Sequence, residues 1–254
     1  MRDLTYPPII VAAKTAFRVL GQDIVLTGTE QVPRAGGVLL AFNHVSYLDF
    51  IYGGLAAHPS RRLVRFMAKK EIFDHSVGGP VMRSMKHIPV DRGEGVASFE
   101  EAVTRLRAGE AVGIFPEATI SRSFELKEFK TGAVRIAAAA GVPLLPVILW
   151  GTQRMMTKGH PRDFSRGKTI AVSVGEPLHP TADTIVEANA ELHHRMSVML
   201  DKTISAYPAD EQPPGSWWLP ARFGGSAPTL EEAEALDAAE KRERAARRAA
   251  KRRS

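Results

Sequence analysis

A histidine and an aspartate five positions apart are the first residues in this chain whose types and spacing could do chemistry. His44 and Asp49 lie within residues 37–50, which read GVLLAFNHVSYLDF. A carboxylate beside one imidazole nitrogen fixes the tautomer of the ring and leaves the other nitrogen to take a proton from a hydroxyl. The pair is therefore predicted to form a general base that works without a protein nucleophile.

The spacing of the two residues decides where they can meet. Within one regular helix, five positions would turn the side chains roughly 140° apart, so His44 is expected in the turn before a helix and Asp49 on its first or second turn. The apolar run at 38–42 predicts a strand that ends here, and Ser46 is the expected N-cap of the helix. The alternative is that Asp49 caps the helix and that His44 is a hydrogen-bonded residue at the end of a strand. Other segments of the sequence must distinguish between the two interpretations.

The composition is that of a globular domain without cysteine chemistry. The 254 residues are 44% hydrophobic and 24% charged, which suffices for one real core. The absence of cysteine excludes disulfides, thiolate metal sites and a cysteine acyl-enzyme. The eight histidines are scattered, and neither a catalytic metal nor a cofactor is expected.

The net charge of +6 belongs to the end of the chain. Of 34 Lys and Arg and 28 Asp and Glu residues, eight bases and two acids fall within residues 240–254, which leaves 26 of each sign elsewhere. A basic tail of this kind is attracted to anionic surfaces. We therefore expect an anionic membrane surface as a partner, and no nucleic acid.

The start of the chain predicts a membrane-associated helix rather than a membrane span. No run of about 18 apolar residues is present. Residues 9–20 predict a short amphipathic helix, whose apolar face either lies in a lipid interface or packs on the protein's own core. The expected location is peripheral, at the cytoplasmic face of the plasma membrane.

Strands and helices alternate along the body of the chain. Strand-like segments lie at 23–27, 38–42, 61–73, 87–93, 111–115, 142–150 and 169–174, and helical ones at 46–57, 77–86, 94–108, 132–140 and 183–206. This alternation predicts an α/β fold: a layered, largely parallel or mixed central sheet flanked by helices. Because His44, Arg92 and Glu117 each follow an apolar strand, they can meet at one edge of that sheet.

Six short blocks stand in order between residues 22 and 180. They are FNHVSYLD at 42–49, RFMAKKEIF at 65–73, HIPVDRG at 87–93, FPEATIS at 115–121, FKTGAVRIA at 129–137 and VPLLPVIL at 142–149. Together they resemble the glycerolipid acyltransferase family that includes the 1-acylglycerol-3-phosphate O-acyltransferases. A single block is a weak signal, whereas the ordered set is a strong one.

The resemblance implies an activity and roles for four residues. It implies acyl transfer from acyl-CoA or an acyl carrier protein, as co-substrate, to a lysophospholipid hydroxyl, most simply that of 1-acylglycerol-3-phosphate, to give phosphatidic acid. His44 would be the base and Asp49 its orienting partner. Arg92 would bind the acceptor's phosphate, and Lys69 could steady the developing oxyanion. A surface ion pair for Arg92 and a solvated Lys69 are the alternatives.

The block at 115–121 departs from the family's usual F-P-E-G-T-R-S. Ala118 replaces the glycine and Ile120 replaces the arginine. Glu117 and Thr119 are retained, and they are expected to hold the loop or a substrate hydroxyl. The missing arginine removes one guanidinium that could bind two phosphate oxygens.

Three hypotheses about function follow from this departure and from the tail. Arg122 and Lys130 could replace the missing arginine, which keeps 1-acylglycerol-3-phosphate as the acceptor. Alternatively, Ile120 could favour another lysolipid or a glycolipid. A third hypothesis is a non-catalytic protein that binds anionic lipid or nucleic acid through its basic tail.

The same features suggest a division of the chain. Residues 1–21 would form a membrane-interface or packing helix, and residues 22–207 the acyltransferase domain. Residues 208–228, which are rich in proline and glycine, would wrap irregularly over the body or touch lipid headgroups. Residues 229–254 would form a charged tail, either helical or disordered.

Overall fold

The computed structural model of the chain describes residues 5–76, 78–91 and 95–253. Within these residues the strands are β1 (Asp23–Thr27), β2 (Val38–Phe42), β3 (Val64–Lys69), β4 (Ile88–Val90), β5 (Ala111–Ile114), β6 (Leu144–Trp150) and β7 (Thr169–Val174). The helices are α1 (Tyr6–Val19), α2 (Asp49–Gly53), α3 (Lys70–Phe73), α4 (Gly78–Ser84), α5 (Gly95–Arg107), α6 (Gly132–Ala140), α7 (Ile185–Ser205) and α8 (Leu230–Arg253).

The strands of this part of the chain form one seven-stranded mixed sheet in the order β1-β7-β6-β2-β5-β3-β4. Every neighbouring pair is parallel except β6 and β7, which are antiparallel. The predicted α/β architecture with a largely parallel or mixed sheet is therefore confirmed. Because β6, β2 and β5 lie side by side and run in the same direction, the residues that follow them meet at one edge of the sheet.

Strand β2 lies inside the sheet, and its side chains alternate between two buried layers. Leu39 and Ala41 pack in the layer formed with α5, α6 and α7. The other three residues of β2 pack in the opposite layer, with α1 and α2. All five have zero exposure, so the continuous apolar run in the sequence reflects a strand that is covered on both faces.

The helix expected at 46–57 begins three residues later than predicted. Helix α2 starts at Asp49 and is followed by a 3₁₀ turn at Gly54–Ala56. The prediction that Ser46 is its N-cap is wrong. Ser46 Oγ donates to the Met156 carbonyl at 2.7 Å and accepts the Leu48 N–H at 3.1 Å. Ser46 therefore belongs to the turn, and Asp49 is the first residue of the helix.

Helix α1 packs one face on the body of the protein. The Phe17 ring stacks on Tyr52, with 4.6 Å between ring centroids, and the Tyr6 hydroxyl donates to a carbonyl of β3. Val11 and Val19 on the same helix remain exposed. Among the described residues, no helix combines the length and the apolar character needed to cross a bilayer.

The segment after α7 is packed against the body. Trp218 is buried beside Trp150 and Tyr207, and Trp217 stacks on His160 with 3.8 Å between centroids. Helix α8 continues to Arg253 at the end of the described residues. The boundaries of the four segments drawn from the sequence stay predictions.

Candidate active site

Asn43 fixes the chain where β2 ends. Its side-chain amide donates to the Leu149 carbonyl of β6 at 3.0 Å and accepts the Leu149 N–H at 2.7 Å. The amide thus continues the hydrogen-bond ladder of the sheet for one more residue, and Asn43 is fully buried. His44 therefore leaves the sheet in a fixed direction.

The carboxylate of Asp49 is the centre of the turn between β2 and α2. It has zero exposure, and its Oδ2 lies 2.9 Å from His44 Nδ1. The same oxygen accepts the backbone N–H groups of Val45 at 2.7 Å and Ser46 at 2.8 Å. Oδ1 accepts the Thr152 hydroxyl at 2.7 Å. A buried carboxylate needs such partners, and here four groups supply them.

The ring of His44 is held by two contacts. Its Nδ1 faces Asp49, and because an ionised carboxylate can only accept hydrogen bonds, Nδ1 must carry the proton. One face of the ring stacks on Phe115, with 4.3 Å between centroids. The side chain keeps 22% of its exposure. Nε2 is therefore the edge of the ring that can accept a proton from a bound hydroxyl.

Thr152 reaches Asp49 because the chain turns sharply after β6. Gly151 has φ of 95°, and a Cβ at this position would lie 2.3 Å from the Thr169 carbonyl oxygen, so a glycine is required. The turn directs Thr152 towards the Asp49 carboxylate at 2.7 Å. Sequence reasoning missed Thr152; its only signal was its place just after a buried strand.

Glu117 holds the backbone of His44 to the loop after β5. Its Oε1 accepts the His44 N–H at 2.8 Å, and its Oε2 accepts the Lys127 N–H at 3.1 Å. On the other side of the histidine, the His44 carbonyl accepts the Ser121 N–H at 2.7 Å. Burial raises the pKa of Glu117 to about 8, although the two N–H groups lower it. These are the contacts of a positioning residue, and a role in binding substrate stays a prediction.

Ala118 adopts a backbone conformation that favours glycine. Its φ is 57°, in the left-handed region where a Cβ crowds the following carbonyl oxygen. This is the position at which the family pattern has glycine. The next departure, Ile120, is 3% exposed, so its side chain packs in the interior. Residue 120 therefore contributes to the core.

In the described part of the chain, Lys69, Lys130 and Thr119 make no hydrogen bond to His44. Lys69 is exposed at the end of β3, and Lys130 is exposed after β5, where its backbone N–H donates to Pro116. Thr119 Oγ1 accepts a hydrogen bond from Lys158 Nζ at 2.8 Å. Arg92 lies outside the described residues. The roles of all four in binding substrate stay predictions.

A cleft of about 590 Å³ lies beside β4 and α5. Its walls include Lys70, His87 and Asp91, and His44 is not among its lining residues. Asp91 directly precedes Arg92 in the sequence. The cleft therefore adjoins the segment predicted to bind phosphate, rather than the histidine ring.

Sequence reasoning also did not predict a cluster of three cationic side chains near the Glu117 loop. Arg122, Lys127 and Lys158 all contact Asp237 of α8. No local pattern could reveal this cluster, since Asp237 is separated from each cation by 79 to 115 positions. Among the described residues, no group of three or more His, Asp or Glu side chains could hold a metal ion.

Comparisons with known proteins give one consistent result. A family model described as Acyltransferase matches residues 23–150, half of the chain. The chain is similar to the 1-acyl-sn-glycerol-3-phosphate acyltransferase of Bacillus subtilis (strain 168), with 30% identity over 181 residues that cover 68% of this chain and 86% of that protein. A protein of the same name from Borreliella burgdorferi is 26% identical over 197 residues, 75% of this chain and 74% of that protein.

A solved structure shares the fold. The crystal structure of the 1-acyl-sn-glycerophosphate (LPA) acyltransferase PlsC from Thermotoga maritima superimposes with a TM-score of 0.65 and 24% identity. The match covers 79% of this chain and 80% of that chain. At this identity the likeness is one of architecture.

The strain at Ala118 predicts a stabilising substitution. Ala118→Gly should raise the free energy of unfolding by about 1 kcal/mol, because glycine adopts a positive φ without a Cβ clash. Ala139→Gly on α6 is the matched control and should lower it by a similar amount, about 1 kcal/mol, since its φ is helical. Urea denaturation measures both. A loss of stability in Ala118→Gly would contradict the assignment of strain.

The raised pKa of Glu117 predicts a pH-dependent stability. The folded-state pKa of about 8 lies above the ordinary value of 4.5, so the folded state retains a proton that the unfolded state has lost. The contribution to stability is complete below pH 4.5 and is lost as pH rises through 8, with a slope of up to about 1.4 kcal/mol per pH unit.

Urea denaturation from pH 5 to 9 tests this slope. Glu117→Gln cannot titrate and should lack it, whereas Glu128→Gln, an exposed change in the same loop, should keep the slope of the unsubstituted protein. Equal slopes in all three proteins would contradict the burial effect at Glu117.

Proposed function

This chain belongs to the acyltransferase family, and we propose that it moves a fatty acyl group from acyl-CoA or an acyl carrier protein to the hydroxyl of 1-acylglycerol-3-phosphate, giving phosphatidic acid. That it is an O-acyltransferase follows from the family. The acceptor is proposed because the relatives from B. subtilis and B. burgdorferi carry it in their names. A non-catalytic binding protein is not supported by this membership.

His44 acts as the general base in this reaction. Its Nε2 takes the proton of the acceptor hydroxyl as the oxygen attacks the thioester carbonyl. The tetrahedral intermediate collapses, the C–S bond breaks, and the imidazolium returns the proton to the leaving thiolate. Asp49 orients the ring and stabilises its positive charge. The observation that carries this proposal is the 2.9 Å contact between His44 Nδ1 and Asp49 Oδ2.

Direct transfer, without an acyl-enzyme, agrees with the surroundings of Ser46. This serine has zero exposure, and its hydroxyl is engaged with the Met156 carbonyl and the Leu48 N–H. A nucleophile must reach the thioester carbon, which a hydroxyl in this position cannot do. A thioester is already activated, so orientation and a base suffice.

Apolar side chains beside the histidine support a site for an acyl chain. Tyr47 is 43% exposed, Phe50 37% and Ile51 36%, and all three lie within seven positions of His44. Where exposed apolar side chains are contiguous, they mark a site of contact with a ligand, a protein or a membrane. The fatty chain of the donor or acceptor would lie against these residues, with its reacting end at the ring of His44.

Attachment to an anionic membrane surface is part of the proposal. The basic residues after Glu240 lie in the second half of α8, and each basic side chain near an anionic bilayer contributes about 1 kcal/mol. Peripheral binding would bring the acceptor lipid to the protein. The cytoplasmic face of the plasma membrane is the proposed location.

Two classes of acceptor lipid are to be distinguished within the proposed function. Ile120 is buried where the family pattern has an arginine, which removes one phosphate contact from this position. The alternative acceptor is another lysolipid or a glycolipid. Offering a mixture of lysolipids with one acyl-CoA, and identifying the products by mass spectrometry, distinguishes the two acceptors. Products formed only from lipids other than 1-acylglycerol-3-phosphate would contradict the proposed acceptor.

Removal of either member of the pair should abolish most of the activity. His44→Ala should lower kcat by about 10²- to 10⁴-fold, because the hydroxyl loses its base. Asp49→Asn should cause a similar loss, about 10²- to 10⁴-fold, because the amide no longer fixes the tautomer.

Mass spectrometry of the lipid product measures the activity of each variant. His194→Ala, on the exposed face of α7, is the control and should keep full activity. Near-normal turnover by a His44→Ala protein with an unchanged circular dichroism spectrum would exclude His44 as the base.

A further inference from the structure

The loop between β6 and β7 begins alongside the turn between β2 and α2. The Met156 carbonyl accepts the Ser46 hydroxyl at 2.7 Å and the Tyr47 N–H at 3.1 Å. Thr157 Oγ1 donates to the Val45 carbonyl at 2.7 Å. These contacts place the backbone of the turn, but they leave open how a side-chain carboxylate within it is rotated.

The rotation of the Asp49 carboxylate about its Cβ–Cγ bond is fixed at both oxygens. Three donors, the His44 ring and the N–H groups of Val45 and Ser46, converge on Oδ2. Among the described residues, Oδ1 is bonded by Thr152 alone, at 2.7 Å. The terminal torsion of an aspartate is broad, so a hydrogen bond to each oxygen is needed to define the plane of the group. Thr152 therefore sets the direction of the lone pairs that the His44 Nδ1–H meets.

Thr152 is itself held in one conformation. It has zero exposure, and its β-branched side chain has few rotamers. The preceding Gly151 has φ of 95°, and the Gly151 N–H donates to Gln153 Oε1 at 2.8 Å. The Thr152 carbonyl accepts the Met155 N–H at 3.0 Å, which closes a 3₁₀ turn. The Thr152 hydroxyl therefore meets Asp49 from a fixed direction.

Loss of this hydroxyl would leave one oxygen of a buried carboxylate without a donor. Asp49 and Thr152 both have zero exposure, so bulk solvent does not reach the contact. A buried carboxylate oxygen without a partner is costly, and the group lowers this cost by rotating towards the donors that remain. That rotation moves the lone pair of Oδ2 away from the line of the His44 Nδ1–H. The imidazole then loses the contact that fixes its tautomer.

We propose that Thr152 is a positioning residue of the active site, and that its hydroxyl sets the plane of the Asp49 carboxylate and thereby the tautomer of His44. Thr152 makes its hydrogen bond to the carboxylate and not to the ring, so it acts through Asp49. The inference rests on the proposed function for its effect on catalysis. Thr152 lies just beyond residues 23–150, the part of the chain that the family model matches, so the contact is seen only in the folded structure.

Substitution by valine tests the hydroxyl while keeping the shape of the side chain. Thr152→Val should lower kcat by about 10- to 100-fold, because misplacement of a catalytic group by about 1 Å costs rate on this scale. KM for both substrates should stay unchanged, since a residue with zero exposure does not contact them. Thr152→Ser keeps a hydroxyl at the same position and should keep most of the activity. Mass spectrometry of the lipid product measures all three proteins.

The NMR spectrum of the His44 ring tests the same inference without any turnover. In ¹⁵N-histidine protein at a pH where the ring is neutral, the unsubstituted chain and Thr152→Ser should show one tautomer, with the proton on Nδ1. Thr152→Val should add a second population that carries the proton on Nε2. These spectra do not depend on whether His44 is the base. If His44→Ala kept its activity, the proposed reaction would fail while the spectra still decided the role of Thr152.

Thr203→Val is the matched control for the loss of a buried hydroxyl. Thr203 of α7 is buried, and its hydroxyl lies 3.1 Å from the Ser173 hydroxyl of β7. The substitution thus removes a hydroxyl contact that does not involve Asp49. It should leave kcat and the His44 spectrum unchanged. Urea denaturation of both valine variants shows whether either effect follows from a general loss of stability.

A second variant keeps the test decisive if Thr152→Val does not fold. Thr152→Cys fills a similar space with a thiol, which is only a weak hydrogen-bond donor, and it should show the same two changes at reduced size. The inference is overturned if the substituted protein keeps both the kcat and the single tautomer of the unsubstituted chain. It is equally overturned if Thr152→Ser is impaired as much as Thr152→Val, or if Thr203→Val produces the same changes.

Discussion

Burial of the Asp49 carboxylate is the constraint on which the site depends. A carboxylate with zero exposure is costly unless every oxygen is hydrogen-bonded. Its partners come from the turn after β2, from the loop after β6 and from the His44 ring itself. Folding therefore cannot satisfy Asp49 without also aligning the histidine, so the stability of the turn and the orientation of the His44 ring have the same origin.

The second buried carboxylate has a different task. Both carboxyl oxygens of Glu117 accept hydrogen bonds from backbone N–H groups, which attaches the loop after β5 to the backbone of His44. Asp49 fixes the orientation of the His44 ring, whereas Glu117 fixes the position of the His44 backbone. The same loop carries Arg122 and Lys127, which hold the carboxylates of α8. The ion pairs with α8 and the placement of the His44 ring are thus connected through one short segment of chain.

Sequence patterns predicted the sheet and the contact between His44 and Asp49 because both depend on local signals. The run at 38–42 had to be a buried strand, and the five-residue spacing could bring His44 and Asp49 together only across a turn. Ser46 was misassigned because its hydroxyl finds a partner 110 positions away, at Met156. Lys158 and Asp237 left no local signal, and Thr152 left only its place just after a buried strand, since the contacts of all three depend on how distant loops and α8 pack.

Determination of the His44 tautomer tests this account most directly. In protein labelled with ¹⁵N-histidine, long-range ¹H–¹⁵N correlation spectra at a pH where the ring is neutral distinguish the two ring nitrogens, and the His44→Ala spectrum identifies the resonance. The account predicts a proton on Nδ1, directed at Asp49, and an unprotonated Nε2. A neutral His44 with its proton on Nε2 would contradict it, because that ring could neither donate to Asp49 nor accept a proton from the substrate.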